Sequence, residues 1–128
     1  MQAVRTIEAF LIDAGCTALS AQELAVVAEE LLSNIVRDAW GGREPGVCAV
    51  DVEAAALDRT VEVRLRTEDD GVAFDPLAAP APDLDLTLEE RPLGGMGIAL
   101  VRAMTDAQIY VRTDGRNVLE VRKTCPCD

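Results

Sequence analysis

Residues 24–40 read LAVVAEELLSNIVRDAW. Apolar side chains stand at Leu24, Val27, Ala28, Leu31, Leu32, Ile35, Val36 and Ala39, the i, i+3, i+4, i+7 spacing of a helix that buries one broad face. At about 100° per residue, Glu30 and Asn34 lie roughly 40° and one turn apart, on the margin of that apolar stripe. The helix thus offers a carboxylate able to take a proton one turn from an amide oxygen able to ligate a hard cation. Such a pair in isolation is usually solvated surface, so its weight depends on the company it keeps along the chain.

The chain of 128 residues suits one domain with a real core. With 49% hydrophobic residues and only Phe10, Trp40, Phe74 and Tyr110 as aromatics, that core is aliphatic. A net charge of −11 argues against non-specific binding to nucleic acid or to an anionic membrane surface. Proteins, or small anions handled by a local cluster of arginines, are the expected partners. The absence of histidine excludes Ser-His triads, histidine acid/base chemistry and histidine metal ligands. The N-terminal segment carries Arg5, Glu8 and Asp13 and has no signal-peptide core. No run of about 18 apolar residues follows, and a cytoplasmic protein without a membrane span is expected. Cys16 and Cys48 read as buried small hydrophobes, and Cys125-Pro126-Cys127 as an exposed tail.

Outward from the central helix, residues 3–15 place Val4, Ile7, Phe10, Leu11 and Ala14 at helical spacing before Gly15. Ser20 and Glu23 read as a capping box for the second helix, which runs to Gly41-Gly42. Residues 47–57 alternate around Val47, Ala49 and Val52, and residues 60–67 alternate Val61, Val63 and Leu65 against Glu62, Arg64 and Arg66. Asp58-Arg59 predicts a hairpin between the two strands. Residues 68–95 hold four prolines, which forbid a continuous helix or central strand, and a loop of that length in a small domain is usually functional or disordered. A third helix over 95–104 and two strands over 108–112 and 118–123, joined through Asp114-Gly115, complete an α+β domain: helices on one face of a mostly antiparallel sheet.

Two signatures frame the long loop. Asp69-Asp70-Gly71-Val72-Ala73-Phe74-Asp75-Pro76 follows the second strand, and Arg91-Pro92-Leu93-Gly94-Gly95-Met96-Gly97-Ile98 opens the third helix. A glycine-rich entry to a helix presents N–H groups and the positive dipole end to an anion, with phosphate the natural candidate. An aspartate at a strand end facing an apolar pocket can accept a hydrogen bond from a purine amino group.

Together with Glu30 and Asn34, in this order, these segments resemble the GHKL ATP-binding superfamily, the Bergerat fold, and within it the anti-sigma-factor serine/threonine kinases. The family helix motif Glu-x-x-x-Asn-x-x-x-His is matched by Glu30, Asn34 and Asp38. Asp-x-Gly-x-Gly is matched by Asp69, Gly71 and Ala73, and Gly-x-Gly by Gly95 and Gly97. The resemblance covers about residues 5–123 and implies one histidine-kinase-like ATP-binding domain over 1–128, a two-layer α/β sandwich with about three helices and an ATP lid near 77–94. It implies that Glu30 is the general base, that Asn34 ligates Mg²⁺, and that Asp69 receives the adenine amino group while Gly71 and Ala73 line the base pocket. Arg91, Gly94, Gly95, Met96 and Gly97 are placed by it near the triphosphate. The implied activity is an ATP- and Mg²⁺-dependent serine/threonine kinase that phosphorylates a STAS-type anti-sigma-factor antagonist, alternately sequesters a sigma factor, and forms a homodimer.

Three departures mark this chain. Asp38 stands for the family histidine and either helps hold the metal or repels the triphosphate. Ala73 stands for the second glycine, at little cost in ordinary backbone and at more if φ is positive. The chain begins at its first helix where relatives have a strand, which implies a bare, shortened or shared sheet edge. A domain that keeps the fold and binds a regulatory partner stoichiometrically, with weak or no catalysis, is the alternative that Asp38 and Ala73 motivate.

Overall fold

The computed structural model describes residues 2–78 and 95–127. Helix α1 spans Gln2–Asp13 and buries Ile7 and Leu11; helix α2 spans Ala18–Asp38. Gly15, at φ 108, turns the chain between them, a conformation that favours glycine. The cap of α2 is Thr17 rather than Ser20: the Thr17 hydroxyl accepts the Ser20 N–H at 3.1 Å. The helix therefore starts three residues earlier than the capping-box reading, and Ser20, which stands where a cap receives its bond, is itself buried at 5% exposure. The helix also ends at Asp38, before the glycine pair.

Strands β1 (Cys48–Ala56) and β2 (Thr60–Asp69) form the expected hairpin, and β3 (Ala107–Thr113) and β4 (Arg116–Pro126) form a second one through Asp114 and Gly115, both at positive φ. The four strands lie in the order β1-β2-β4-β3, every neighbour antiparallel. Helix α3 spans Gly95–Met104. Among the described residues, three α-helices on one face of an antiparallel sheet make the α+β, two-layer sandwich.

The alternation along β2 explains the layering. Val61, Val63 and Leu65 are buried toward the helices, with Leu119, Val121 and Cys125 of β4 beside them and Leu11, Leu24, Val27, Leu31 and Val101 above. Each such side chain contributes roughly 1.5–3 kcal/mol by leaving water. On β1 the inward positions are Val50, Val52 and Ala54, not Val47 and Ala49, which are exposed. The pairing Val52↔Leu65 sets that register, and a shift of one residue exchanges the faces of a strand.

Two cysteine expectations are also corrected: Cys48 is exposed on the edge strand β1, and of the C-terminal pair Cys125 is fully buried in β4 while Cys127 is exposed. The sheet face away from the helices carries ion pairs, among them Arg64 with Glu53 and Arg122 with Glu120 at 2.8 Å. At such exposure they add little stability. Among the described residues no helix is long and apolar enough to cross a membrane.

At one end of the molecule the inward positions change character. The β2 series that begins with valines ends in Thr67 and Asp69, buried at 3% and 6%, and the β4 series begins with Asn117, buried at 7%. Buried polar side chains are costly unless paired, and this end of the sheet lies beneath the C-terminal part of α2.

Candidate nucleotide site

That end opens as a narrow cleft of about 40 Å³ that faces solvent on one side. Leu31, Ile35, Phe74, Pro76, Tyr110 and Leu119 give it apolar walls, and Asn34, Asp38, Thr67, Asp69 and Asn117 supply the polar groups. An apolar slot with a few convergent polar atoms is the usual build of a small-molecule site.

Asp69 sits at the slot's inner end. Its Oδ1 accepts the Gly71 N–H at 2.9 Å and the Asn117 Nδ2–H at 3.0 Å. Among the described residues its hydrogen bonds run through Oδ1, which leaves Oδ2 as an acceptor for a ligand. Asn117 is the organiser of this corner. Its Nδ2 also donates to the Val72 carbonyl at 2.8 Å, while its Oδ1 accepts the Phe74 N–H at 3.2 Å and the Tyr110 hydroxyl. One amide thereby fixes the aspartate, the loop after β2 and the wall residue Tyr110.

The loop after β2 is pressed against the end of α2. The Val72 N–H donates to the Ala39 carbonyl at 2.8 Å, and a Cβ built on Gly71 would lie 2.2 Å from that same oxygen. Only glycine fits there. The Gly71 carbonyl is held by Arg112 Nη1 at 2.8 Å. Ala73 is exposed and its φ is not positive, since Asp114 is the one non-glycine with positive φ among the described residues; the alanine therefore stands there without backbone strain. The cleft is lined by Phe74 and Pro76, while Gly71 and Ala73 shape the turn that presents them.

Asp70, the second aspartate of the motif, points the other way. Its Oδ1 accepts the Trp40 indole N–H and the Val47 N–H, each at 2.9 Å, tying α2's end to the start of β1. The Trp40 hydrogen bond, followed by that of Val47, holds its carboxyl below the ordinary value of 3.8.

At the outer end of the cleft Asn34 is buried at 8% exposure, and its Oδ1 accepts from Arg37 Nη2 at 2.7 Å. Arg37 also pairs with Asp38 at 3.1 Å. Asp38 thus lines the cleft with its charge already matched by a neighbouring guanidinium.

Glu30, one turn before Asn34, meets α3: its Oε2 is 2.5 Å from where a Gly97 Cβ would stand. The absent side chain at Gly97 is what lets the carboxylate lie against the first turn of that helix. Gly95 and Met96 open α3; Arg91 and Gly94 lie outside the described residues, as does residues 79–94 of the expected lid. Its first two residues fall in the 3₁₀ turn Pro76–Ala78, where Asp75 Oδ1 accepts the Leu77 N–H at 2.9 Å.

For a divalent cation, the donor set of an amide oxygen beside carboxylates is hard, as Mg²⁺ requires. Among the described residues no three acidic or thiol side chains form a closed cage. That combination fits an ion held by one or two protein oxygens and completed by phosphate and water.

Sequence reasoning placed Glu30, Asn34, Asp38 and Asp69 on the elements that surround this cleft. It missed Asn117, Tyr110 and Thr67. Their signal was a polar residue at an inward position of an otherwise apolar strand alternation, legible only once the register is known.

A cleft between a helix carrying Glu and Asn one turn apart and a sheet end carrying a buried Asp makes this an α+β domain of the small-molecule-binding class. The model of the histidine kinase-like ATPase domain matches residues 1–123, and the chain belongs to that family. It is similar to the serine/threonine-protein kinase BtrW of Bordetella bronchiseptica, with 36% identity over 96 residues that cover 75% of this chain and 65% of BtrW. The chain thus spans less than two thirds of that relative's length.

Proposed function

We propose that this chain binds ATP with Mg²⁺ in the cleft and transfers the terminal phosphoryl group to a serine or threonine hydroxyl of a protein. The observation that carries the reading is the convergence on one cleft of Asp69 at its inner end and Asn34 at its outer end, with Glu30 one turn further against α3 at Gly97. Family membership supports ATP as the nucleotide, and the similarity to a serine/threonine kinase supports a protein acceptor.

In this reading Asp69 Oδ2 accepts from the adenine amino group while Leu31, Ile35, Phe74 and Tyr110 enclose the ring. The Asn34 amide oxygen holds the cation, which when bound neutralises phosphate charge. The first turn of α3 offers N–H groups to the triphosphate. Glu30 takes the proton of the attacking hydroxyl, a new P–O bond forms, and the bond to the ADP oxygen breaks. Such catalysis is positioning and charge stabilisation. The acceptor is a STAS-type anti-sigma-factor antagonist and the alternate partner a sigma factor, with the chain acting as a cytoplasmic homodimer; the motif resemblance supports these assignments.

The test combines labelled ATP, Mg²⁺ and candidate STAS-type proteins with the chain and with Glu30→Gln. A kinase labels one acceptor on serine or threonine, and the variant loses that labelling while retaining nucleotide affinity. Unchanged labelling by the variant removes Glu30 as base, and absence of ATP binding defeats the whole reading.

A further inference from the structure

The C-terminal end of β4 carries a group of thiols that the nucleotide reading leaves unused. Residues two apart along a strand share a face, which puts Cys125 and Cys127 on the same side. Cys16, in the turn between α1 and α2, forms an isolated antiparallel bridge with Cys127. Cys16 and Cys125 are sealed at 1% and 0% exposure within one core cluster. Cys127 is exposed, its backbone N–H anchored on the Arg59 carbonyl at 3.1 Å. Directly opposed residues in an antiparallel pair have Cα atoms about 4.5–5.5 Å apart, inside the roughly 4.4–6.8 Å that a disulfide spans.

We propose that Cys127 and Cys16 are a thiol-oxidation site, closing to an intramolecular disulfide when the chain meets a peroxide. Cys127 acts first because solvent reaches it. Its thiolate attacks one peroxide oxygen, the O–O bond breaks, hydroxide leaves, and Cys127 becomes a sulfenic acid. The Cys16 thiolate then attacks the Cys127 sulfur, the S–O bond breaks, a second hydroxide leaves, and the S–S bond forms. In balance, two thiols give up two protons and two electrons, and hydrogen peroxide becomes two waters.

The second step is the slow one. Burial, and then the neighbouring Cys125, push the Cys16 thiol up to about 11, so little thiolate is present near neutral pH. Each unit of pH between 7 and 9 consequently speeds closure about tenfold. Three clustered thiols also suggest zinc, but among the described residues no metal-binding group of three is arranged. The cross-link joins residues 16 and 127 and so encloses most of the chain. In the chain-entropy account such a loop raises the thermal midpoint on the order of 10 °C.

The experiment uses the full chain carrying Cys48→Ser, which removes the other exposed thiol. The reduced protein is treated with stoichiometric hydrogen peroxide, alkylated, and mapped by mass spectrometry without reduction. The expected result is a Cys16–Cys127-linked peptide, a raised thermal midpoint that dithiothreitol reverses, and closure that accelerates with pH. Adding Cys127→Ser, at an exposed position that leaves packing intact, abolishes all three. A link between Cys16 and Cys125, a link between two chains, over-oxidation of Cys127 with Cys16 still a thiol, or stoichiometric protection of the three thiols by added zinc would each overturn the proposal.

Discussion

Arg37 donates from Nη2 to the side-chain oxygen of Asn34 at 2.7 Å, so the amide assigned to a cation is held by a built-in one. On the proposed reading, a ligand that claims Asn34 releases Arg37 toward the phosphates. Arg37→Met then weakens ATP affinity about tenfold in the presence of Mg²⁺, the worth of one charge-assisted hydrogen bond. Adenosine affinity stays within about twofold. Calorimetric titration of both ligands decides it, and equal weakening of both would move Arg37's role to the base pocket.

Asp69→Asn keeps an oxygen for the Gly71 and Asn117 donors but turns the remaining acceptor into an amide donor. On the proposed reading adenine nucleotides lose about 100-fold in affinity, from one satisfied bond exchanged for an opposed pair, while the fold survives. Circular dichroism with an ATP titration separates the two effects.

Asn117→Ala strands Asp69, the Val72 carbonyl, the Phe74 N–H and the Tyr110 hydroxyl together. Groups deprived of partners at a partly buried site cost about 2–3 kcal/mol in total. Urea denaturation with an unchanged slope is the expected signature.

The two site glycines answer differently to alanine. At Gly71 the new Cβ meets backbone, the Ala39 carbonyl oxygen at 2.2 Å, and at Gly97 it meets the far end of the Glu30 side chain at 2.5 Å. Gly71→Ala therefore costs on the order of 3 kcal/mol. Gly97→Ala changes stability by less than about 1 kcal/mol, because the Glu30 side chain can move aside; on the proposed reading it lowers turnover at least tenfold through the displaced carboxylate. Thermal melts paired with phosphotransfer rates test both.

Asp70 gives the molecule an acid response. Its folded carboxyl is held below the ordinary 3.8 by Trp40 and then Val47. A depressed folded value contributes stability that is present above the unfolded value and lost as pH falls through the folded one. The stability gap between the chain and Asp70→Asn is thus full at pH 6 and closes below about pH 4. Trp40, the single tryptophan, changes emission over the same range in the chain and not in the variant.

The elements that define the layers were legible because each carries a strong period: 3.6 in α2, two in β2. Along β1 the apolar series Val47, Ala49, Val50, Val52 changes phase at Val50: Val52 faces inward as expected, Val47 and Ala49 are exposed, and only the pairing with Leu65 decides between the faces. The cap of α2 was placed at Ser20 because Thr17 lacks the acidic partner that makes a capping box recognisable. Asn34 and Asp69, which line the cleft, and Glu30, which meets Gly97 beside it, stand out in the sequence by short spacings. Asn117 is 48 residues from Asp69, and nothing local distinguishes it from an ordinary turn asparagine until β4 pairs with β2. Cys125 was read as tail for the same reason: its burial depends on a strand that continues past the expected end.

Synthesis order follows from the Asn117 corner. As the chain leaves the ribosome, α2 with its Glu and Asn, and β2 with its Asp, emerge first and can form their hairpin and helix contacts. The amide that locks the aspartate and its loop arrives only with Asn117, 48 residues after Asp69. A nascent or truncated chain lacking β4 therefore has the recognisable motifs and an unfinished pocket, and the site is complete only once β4 has emerged and paired with β2.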